Sequence, residues 1–305
     1  MKFDGNSPYY QQVALLVQVL PFLAAHPCFA LKGGTAINLF VQPFPRLSVD
    51  IDLTYLPQEE RAVALSHIAE ELERLAATVE QRLPGVSVKR DMPRGKLLIG
   101  NGRAEIKVEV SLSMRGSILP AKQAEMVEPA AELFGFASVQ MLDARELYAG
   151  KLVAALDRQH PRDLFDVKNL LDQGLLNEAL LELFLVYVLS SGRSIADILV
   201  PNFQDIENLY NNHFSGMTTT DVSLGELLQA RDAMVATIHR LLKDEHKRFL
   251  LSIKAGQPDW ELFAYPEAAK LPAVKFKLMN IERMSEEKRS ASLEKLERVL
   301  YGVAP

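Results

Sequence analysis

The sequence predicts an α+β fold in which a small mixed sheet with helices is followed by an all-helical region. The composition is that of a globular chain, because 48% of the 305 residues are hydrophobic and 24% are charged. The apolar and polar alternation typical of strands occurs in the first 120 residues, and helical periodicity continues from there. We therefore expect an α/β domain over residues 1–120 and a helical domain over residues 121–305.

The composition also excludes several classes of protein. Cys28 is the single cysteine, so a disulfide framework within the chain is excluded and a cysteine-based zinc site is not expected. No apolar run reaches the roughly 18 residues of a membrane helix, and the N-terminal residues lack the pattern of a signal peptide. These features predict a cytoplasmic protein with no membrane partner. The net charge of −5 argues against a protein that coats nucleic acid through its overall charge.

The first predicted elements alternate between helix and strand. Apolar residues at helical spacing predict a helix over residues 8–23, and an apolar run predicts a short buried strand over residues 28–31. Gly33 and Gly34 end that strand. A second helix is predicted to begin at Thr35, its expected N-cap, and to stop before the next prolines.

A strand that carries two carboxylates and a long helix come next. Residues 49–55 alternate apolar and polar side chains, which is a strand signal. Residues 58–83 have the spacing of an amphipathic helix. Its expected buried stripe consists of Val63, Ile68, Leu72, Leu75 and Val79.

Three more strands are predicted over residues 86–90, 96–99 and 104–112, with glycine-containing turns between them. After Gly116 the pattern is helical to the C-terminal end. Helices are predicted over residues 142–156 and 161–171, the second with proline at its first position.

Asp50 and Asp52 are the first candidates for chemistry. Two residues apart on a strand, they point to the same face, where like charges repel unless a cation lies between them. Magnesium is a suitable cation, because it binds oxygen ligands and is often held by one or two carboxylates with substrate phosphates. An isolated Asp-x-Asp pair is more often solvated. The combination with the preceding Gly33-Gly34 pair, which allows close backbone approach before a helix, is more specific.

A two-metal site needs a third carboxylate from a neighbouring strand. In residues 105–112, the apolar side chains point one way, and Glu105, Lys107, Glu109 and Ser111 point the other. Glu109 is the candidate because it is central in the strand. Surface pairs between these charged residues are the alternative.

A third cluster occupies the two helices over residues 142–171. Lys151 and Arg158 are seven residues apart and share one helix face, where they could meet a triphosphate. Asp163 and Asp166 follow on the next helix. The alternatives are that Asp163 stabilises the start of its helix and that Asp166 pairs with Arg162.

Basic residues are concentrated in one segment of this acidic chain. Residues 85–122 contain eight basic and three acidic residues. Such a surface can hold a phosphate-bearing partner. A pair of solvated strands with lysines on the outer face is the alternative.

Four motifs in order resemble those of the AbiEii/AbiGii-type nucleotidyltransferase toxins, which include the MenT proteins. They lie at Gly33 to Asp52 (GGTAINLFVQPFPRLSVDID), Lys107 to Glu109, Lys151 to Arg158 and Arg162 to Asp166, and the resemblance covers about residues 28–172. Ser111 departs from the family pattern, in which asparagine is frequent.

The resemblance implies a polymerase-β-like nucleotidyltransferase fold followed by a helical domain. It implies a bacterial toxin of a toxin–antitoxin or phage-defence pair, neutralised by a separate antitoxin protein. Some relatives add nucleotides to the 3′ end of tRNA and so block aminoacylation. The match also implies metal binding by Asp50 and Asp52, and essential roles for Lys151 and for one or both of Asp163 and Asp166.

Together these observations predict a set of site residues. The expected catalytic residues are Asp50, Asp52, Glu109, Lys151, Asp163 and Asp166, and the expected nucleotide-binding residues are Gly33, Gly34, Thr35, Ser48, Lys151 and Arg158. Asp50 and Asp52 are expected to hold Mg²⁺ or Mn²⁺, which bridges the NTP phosphates.

The remaining residues have expected roles around the triphosphate. Backbone N–H groups of the glycine turn cradle it, Ser48 donates to a phosphate or a neighbouring loop, and Lys151 with Arg158 neutralises its charge. Glu109, or an aspartate of the helical cluster, deprotonates or orients the attacking hydroxyl. The expected acceptor is an RNA 3′ end, bound between the basic segment and the helical domain.

Three other functions share part of this pattern. They are a nucleotidyltransferase that modifies a small molecule, a catalytically silent binding module on the same fold, and a glycosyltransferase that uses Asp-x-Asp to hold a sugar nucleotide. Retention of both aspartates with the third and fourth motifs argues against the silent module, and the Gly-Gly pair disfavours the glycosyltransferase.

Overall fold

The computed structural model describes residues 3–302, which form two compact units. Unit 1 comprises the residues up to Leu147 together with Phe214–Val222, and unit 2 comprises Tyr148–His213 and the residues from Ser223 onward. The predicted α+β class is confirmed, with one mixed sheet in unit 1 and helices in unit 2.

Unit 1 contains a seven-stranded sheet. Its strands are β1 (Phe29–Lys32), β2 (Asp50–Tyr55), β3 (Ser87–Asp91), β4 (Lys96–Gly100), β5 (Glu105–Ser111), β6 (Lys122–Glu125) and β7 (Ser138–Met141), in the order β3-β4-β5-β2-β1-β7-β6. The pairs β2–β5 and β1–β7 are parallel, and the other neighbours are antiparallel. The candidate residues on β2 and β5 therefore lie near the middle of the sheet.

The helices of unit 1 lie before, between and after these strands. They are α1 (Pro8–Val19), α2 (Gly33–Ala36), α3 (Arg61–Arg82) and α4 (Glu128–Phe134), with short helical turns at Leu20–Ala25, Ile37–Val41 and Met92–Arg94. The predicted stripe of α3 is buried except at Val63, whose exposed fraction is 46%. Ala64 takes that position, because the spacing of four residues to Ile68 and again to Leu72 places it on the buried face.

The sheet extends beyond the predicted boundary at residue 120. Strands β6 and β7 replace a predicted helical region, and their partnership keeps the residues up to Leu147 in unit 1. Each strand has only four residues: three of the four in β6 are exposed, and the alternation of β7 is too short to distinguish a strand from a helix. Pairing within the sheet decides their conformation.

The helical start after β1 also differs from the prediction. The helix begins at Gly33, and Lys32 in extended conformation is its N-cap. Thr35 is therefore inside the helix, where its hydroxyl makes the contacts described below.

A later part of the chain returns to unit 1 and pairs with the segment before β2. The Leu47 N–H donates to Met217 O at 2.8 Å, and the Thr219 N–H donates to Pro45 O at 2.9 Å. An isolated bridge joins Arg46 to Thr218. This support for the start of β2 was not predicted, because 170 residues separate the partners.

Unit 2 is helical, as predicted for residues 176–305. Helix α5 (Ala144–Arg158) leads into it, followed by α6 (Pro161–Asp172), α7 (Glu178–Ser190), α8 (Ile195–Leu199), α9 (Glu207–His213), α10 (Leu224–Leu241), α11 (Asp244–Ala255), α12 (Pro272–Glu282) and α13 (Glu286–Tyr301). Within the unit, α10 packs on α6, α12 on α7, and α13 on both α8 and α11. Among residues 3–302, no helix combines the length and apolar character of a membrane span.

Candidate active site

Asp50 and Asp52 share one face of the sheet, as predicted. Ile51 and Leu53 between and after them are fully buried, whereas both aspartates are half-buried. The alternation places the carboxylates on the face opposite the apolar core. The structure therefore brings the two predicted metal ligands together.

The neighbouring strands add charged residues to the same face. Asp50 lies opposite Lys107, and Asp52 lies opposite Glu109 on the parallel strand β5. On the other side, Lys32 of β1 lies opposite Asp52. Residues directly opposite one another in a sheet share a face, so three carboxylates and two lysines are presented together.

Glu109 is held by two lysines. Its Oε2 is 2.8 Å from the ammonium of Lys107, and its Oε1 is 3.1 Å from that of Lys96. Partial burial acts to raise the pKa of Glu109, but these two partners outweigh it and hold the pKa below its ordinary value. Glu109 is thus a charged, ion-paired carboxylate, which makes it a weak base.

The expected cluster of three carboxylate ligands is not formed. In the part of the chain that the structure describes, no three His, Cys, Asp or Glu side chains converge where they could hold a metal ion. The reason lies at Glu109, whose two oxygens face lysines rather than the aspartates. A role for Glu109 in catalysis stays a prediction.

Lys107 belongs to the candidate site although the sequence analysis gave it no role. Burial acts to lower its pKa, but the hydrogen bond to Glu109 and the charges of Asp50 and Asp52 raise the pKa above its ordinary value. Lys107 is therefore a cation beside both aspartates. Its position in an alternating strand indicated the face it occupies, but its partner strand was not predictable.

The glycine turn leaves room for the Asp52 carboxylate. Gly33 has φ +76°, and a Cβ placed on it would lie 2.6 Å from Asp52 Oδ2. A Cβ on Gly34 would lie 2.7 Å from Arg46 Nη2 and 2.9 Å from Ser48 Oγ. Both glycines are therefore required by close approach to site residues, and Gly33 also by its backbone conformation.

Thr35 and Ser48 join the turn to β2. The Thr35 hydroxyl donates to Asp50 O at 2.5 Å, and its Oγ1 is 3.1 Å from Ser48 Oγ. Both side chains are buried, with exposed fractions of 1% and 6%. These contacts fix the turn against the strand, and the expected phosphate contacts of the two hydroxyls stay predictions.

Arg46 is a buried cation behind the turn. Its exposed fraction is 2%, and its Nη1 donates to Leu47 O at 2.8 Å. Arg46 is part of the first motif, but only the fold reveals that its guanidinium lies against Gly34. It supports the turn from the side of the protein interior.

Unit 2 brings together the other four predicted residues. Lys151 lies 2.8 Å from Asp163 Oδ1 and 2.9 Å from Asp166 Oδ2, and Arg158 binds Asp163 with both Nε and Nη2, at 2.5 and 3.0 Å. Lys151, Asp163 and Asp166 are buried, whereas the Arg158 side chain is 64% exposed. Arg158 is therefore the cation of this cluster that solvent and solutes can reach.

Charge within the cluster is balanced. Burial acts to raise the pKa of Asp163, but Lys151 and Arg158 hold it well below its ordinary value. His160, the N-cap of α6, accepts a hydrogen bond from the Arg162 N–H at 3.1 Å, and burial and Arg162 lower its pKa to about 4. Asp163 is thus ionised and His160 neutral at pH 7, so neither is suited to take a proton there.

The basic segment over residues 85–122 is largely paired with carboxylates. Arg90 contacts Glu73 and Glu80, Lys89 lies 3.6 Å from Glu105, and Arg94 lies 3.2 Å from Asp91. The pairs of Arg90 with Glu73 and Glu80 of α3 were not predicted from the sequence. They reduce the positive charge this segment offers to RNA.

The residues on β2 fit a divalent cation. Asp50 and Asp52 offer hard oxygen ligands on one face, and the missing side chain of Gly33 lets the Asp52 carboxylate pack against the glycine turn. Two carboxylates completed by substrate phosphates are a usual magnesium ligand set.

Comparisons with known proteins identify the family of the chain. The family model of the nucleotidyl transferase AbiEii toxin, type IV toxin–antitoxin system, matches residues 14–278. Among curated proteins, none matches the chain.

Two solved structures match the chain, and the first of them resembles it in fold. MenT4, a nucleotidyltransferase toxin from Mycobacterium tuberculosis, is 14% identical with a TM-score of 0.60, over 95% of this chain and 93% of that one. JHP933 from Helicobacter pylori is 18% identical with a TM-score of 0.43, over 76% of this chain and 92% of that one.

Proposed function

Because the chain belongs to the AbiEii nucleotidyltransferase toxin family, we propose that it transfers a nucleoside monophosphate from an NTP to an RNA 3′ end. The proposed acceptor is tRNA, and the proposed consequence is inhibition of translation in the bacterial cytoplasm. The observation that carries the proposal is the contact between the glycine turn and the Asp-x-Asp strand, where the absence of a side chain at Gly33 lets Asp52 Oδ2 pack against the turn. The enzyme is a toxin of a toxin–antitoxin system, with an antitoxin as its partner.

Asp50 and Asp52 are the proposed ligands of Mg²⁺ or Mn²⁺. When bound, the cation would neutralise phosphate charge on the NTP. The two half-buried carboxylates hold their positions because β2 lies between β5 and β1 in the sheet.

The glycine turn is the proposed triphosphate cradle. The backbone N–H groups of Gly33, Gly34 and Thr35 begin a helical segment, where N–H groups without partners in the helix can bind a phosphate. Ser48 is proposed to hold the position of the turn through its contact with the Thr35 hydroxyl. Lys107, a cation next to both aspartates, is proposed to bind a phosphate oxygen when the NTP is present.

Glu109 is proposed to orient the attacking hydroxyl rather than to take its proton. The ion pairs with Lys96 and Lys107 lower its pKa and reduce its strength as a base. A fixed carboxylate that accepts a hydrogen bond from the hydroxyl contributes through positioning, which is the main source of rate in phosphoryl transfer.

In unit 2, Arg158 is proposed to bind a phosphate group. Its side chain is exposed while Asp163 fixes its guanidinium on one side. Lys151, with Asp163 and Asp166, is proposed to hold this arrangement from the interior. Substitution of these three residues would then reduce transfer by changing the position of the Arg158 guanidinium.

The proposal is tested by labelling RNA. The purified full chain is incubated with total bacterial RNA and each of four α-labelled NTPs, with Mg²⁺ or Mn²⁺, and extended 3′ ends are sequenced. We expect label in tRNA with the wild type and none with Asp50→Asn. Glu105→Gln, an exposed carboxylate on β5, is the matched control and should retain activity. Absence of labelled RNA with every NTP and both cations, or label only in small molecules, would contradict an RNA acceptor.

A further inference from the structure

A cavity of about 600 Å³ in unit 2 lies outside the site described above. Its wall includes Arg193, Asp197 and Lys295, and also the polar residues Gln159, Asn202 and Gln204. The volume lies within the range of cavities that hold a nucleotide-sized ligand, about 300–1,000 Å³. The proposed transfer reaction uses none of these residues.

Two ion pairs lie at the wall of the cavity. Lys295 of α13 is 2.6 Å from Asp197 of α8, and Arg193 pairs with Asp157 at the end of α5. The side chains of all four residues are at least 40% exposed. Each pair is therefore open to exchange with a solute that carries charge.

Two further lysines give the cluster a surplus of positive charge. Lys277 of α12 donates to Arg193 O at 2.7 Å. Lys254 of α11 has an exposed fraction of 7%, and its charge interacts with that of Asp197 on the cavity wall. Because burial of a lysine side chain is costly, a ligand that pairs with its charge is favoured.

The lowered pKa values of these two lysines agree with a surplus of positive charge in the cluster. Burial lowers the pKa of Lys277 to about 8, and the positive charge of Lys254 lowers it further. Burial also lowers the pKa of Lys254, against the smaller effect of Asp197. The two ammonium groups repel each other across the α11–α12 contact, and an anion between them would relieve that repulsion.

An exposed aromatic ring is part of the same region. Phe203 lies between Asn202 and Gln204 of the cavity wall and is 45% exposed. The Arg231 guanidinium is 4.1 Å from its ring centroid, and the buried Arg231 Nε has no hydrogen-bond partner among residues 3–302. A basic groove with an aromatic platform is the arrangement that binds single-stranded nucleic acid.

We propose that this cavity binds a single-stranded segment of RNA, with backbone phosphates at Arg193, Lys254, Lys277 and Lys295 and a base near Phe203. The inference rests on the proposed function, since it assigns the acceptor RNA a binding site in unit 2. Arg193 and Lys295 are ion-paired, as Arg90 and Arg94 of the basic segment over residues 85–122 are, so the preference for the cavity rests on the two added charges of Lys254 and Lys277. A free nucleotide has the same phosphate chemistry and is separated from RNA by the experiment.

The test measures RNA affinity as a function of salt. Binding of a fluorescein-labelled single-stranded oligoribonucleotide to the full chain is followed by anisotropy between 50 and 200 mM salt (about the range over which phosphate contacts weaken most visibly). For Lys254→Met combined with Lys277→Met, we expect about tenfold weaker binding and a salt slope smaller by about 1.4, or 0.7 for each lost phosphate contact. Lys275→Met, an exposed lysine on the same helix α12, is the matched control and should change affinity less than twofold.

Controls separate binding from folding. Methionine keeps the length of lysine and removes a desolvated charge, so the melting temperature should stay equal or rise. Should the double variant fail to fold, Arg193→Gln and Lys295→Gln at exposed positions should weaken binding in the same direction. Unchanged affinity and slope in folded variants would overturn the proposal. Loss of affinity for ATP with RNA binding unchanged would also overturn it and make the cavity a nucleotide site.

A second readout distinguishes this inference from the proposed function. Nucleotide transfer is measured at increasing RNA concentration, and the variants should raise KM for RNA while kcat at saturation is kept. Wild-type chain that binds RNA through these lysines without extending it would contradict the transfer reaction alone. Wild-type chain that extends RNA with the same KM as the variants would contradict the binding site alone.

Discussion

Asp52 and Glu109 lie directly opposite each other on the parallel strands β2 and β5, on one face of the sheet. Neighbouring strands are about 4.8 Å apart, yet the two carboxylates contact different groups. Lys107 and Lys96 hold Glu109, and the glycine turn lies against Asp52. The two acids therefore have different environments and different expected roles.

The stability contribution of Glu109 should depend on pH. Its pKa is lower in the folded protein than the ordinary value of 4.5, so its stabilisation is present above that value and is lost as pH falls through the folded pKa. Glu109→Gln should lower the free energy of unfolding by about 1 kcal/mol near pH 7 and by less below pH 4. Urea unfolding at several pH values measures the difference. Glu105→Gln is the control, and a Glu109 effect that is constant with pH would show lost packing instead of lost charge.

Gly33→Ala should abolish activity through Asp52. The new Cβ would lie 2.6 Å from Asp52 Oδ2 and displace the carboxylate, in addition to the cost of about 1 kcal/mol for alanine at φ +76°. Gly85→Ala is a matched control, since Gly85 has φ +78° with no atom within 4 Å of the added Cβ. Thermal unfolding should show a loss of stability in both variants, larger in Gly33→Ala because of the contact with Asp52, and transfer assays should show loss of activity in Gly33→Ala alone. Equal activities would contradict the assigned role of the turn.

Lys151 and Arg158 should differ in their effects on stability. Lys151→Met leaves two buried aspartates with one cation fewer and should cost about 3–5 kcal/mol of unfolding free energy. Lys151→Arg should restore little, because a planar guanidinium does not fit the position of a buried ammonium. Arg158→Gln should lose transfer with a much smaller loss of stability, since its side chain is 64% exposed. Lys168→Met, which removes an i,i+4 pair with the exposed Asp172, is the control. Wild-type activity of Arg158→Gln would contradict its proposed phosphate contact.

A negative charge at Ser48 should silence the enzyme. Ser48 points toward the glycine turn and contacts Thr35, so Ser48→Asp would place a carboxylate beside Asp50 and repel the triphosphate. Ser48→Ala should keep partial activity, and Ser113→Asp at an exposed position should keep full activity. Transfer assays compare the three variants. Mass spectrometry of the chain expressed with its antitoxin then shows whether Ser48 is phosphorylated, which would add about two negative charges at this position. An active Ser48→Asp enzyme would exclude control through this residue.

Local patterns determined much of the molecule without tertiary information. Alternation over residues 49–55 fixed that strand and the shared face of Asp50 and Asp52, because side-chain direction along a strand depends only on its own backbone. Helical spacing likewise placed Ile68 and Leu72 on the buried face of α3. The four motifs also indicated the family without tertiary information, because each is a continuous stretch of the sequence.

Tertiary structure decided which groups meet. The pairing of β2 with β5 in parallel register places Lys107 beside Asp50. Residues 214–222 belong to unit 1 and pair with the segment before β2 that contains Arg46. The burial of Lys151 against Asp163 and Asp166 also depends on tertiary structure, and its expected contact with the triphosphate stays a prediction. The strands β6 and β7 exist because they pair with each other and because β7 also pairs with β1. These outcomes depend on the free energy of packing and strand pairing between distant segments of the chain. The periodicity of apolar residues along the sequence does not predict which segments pair.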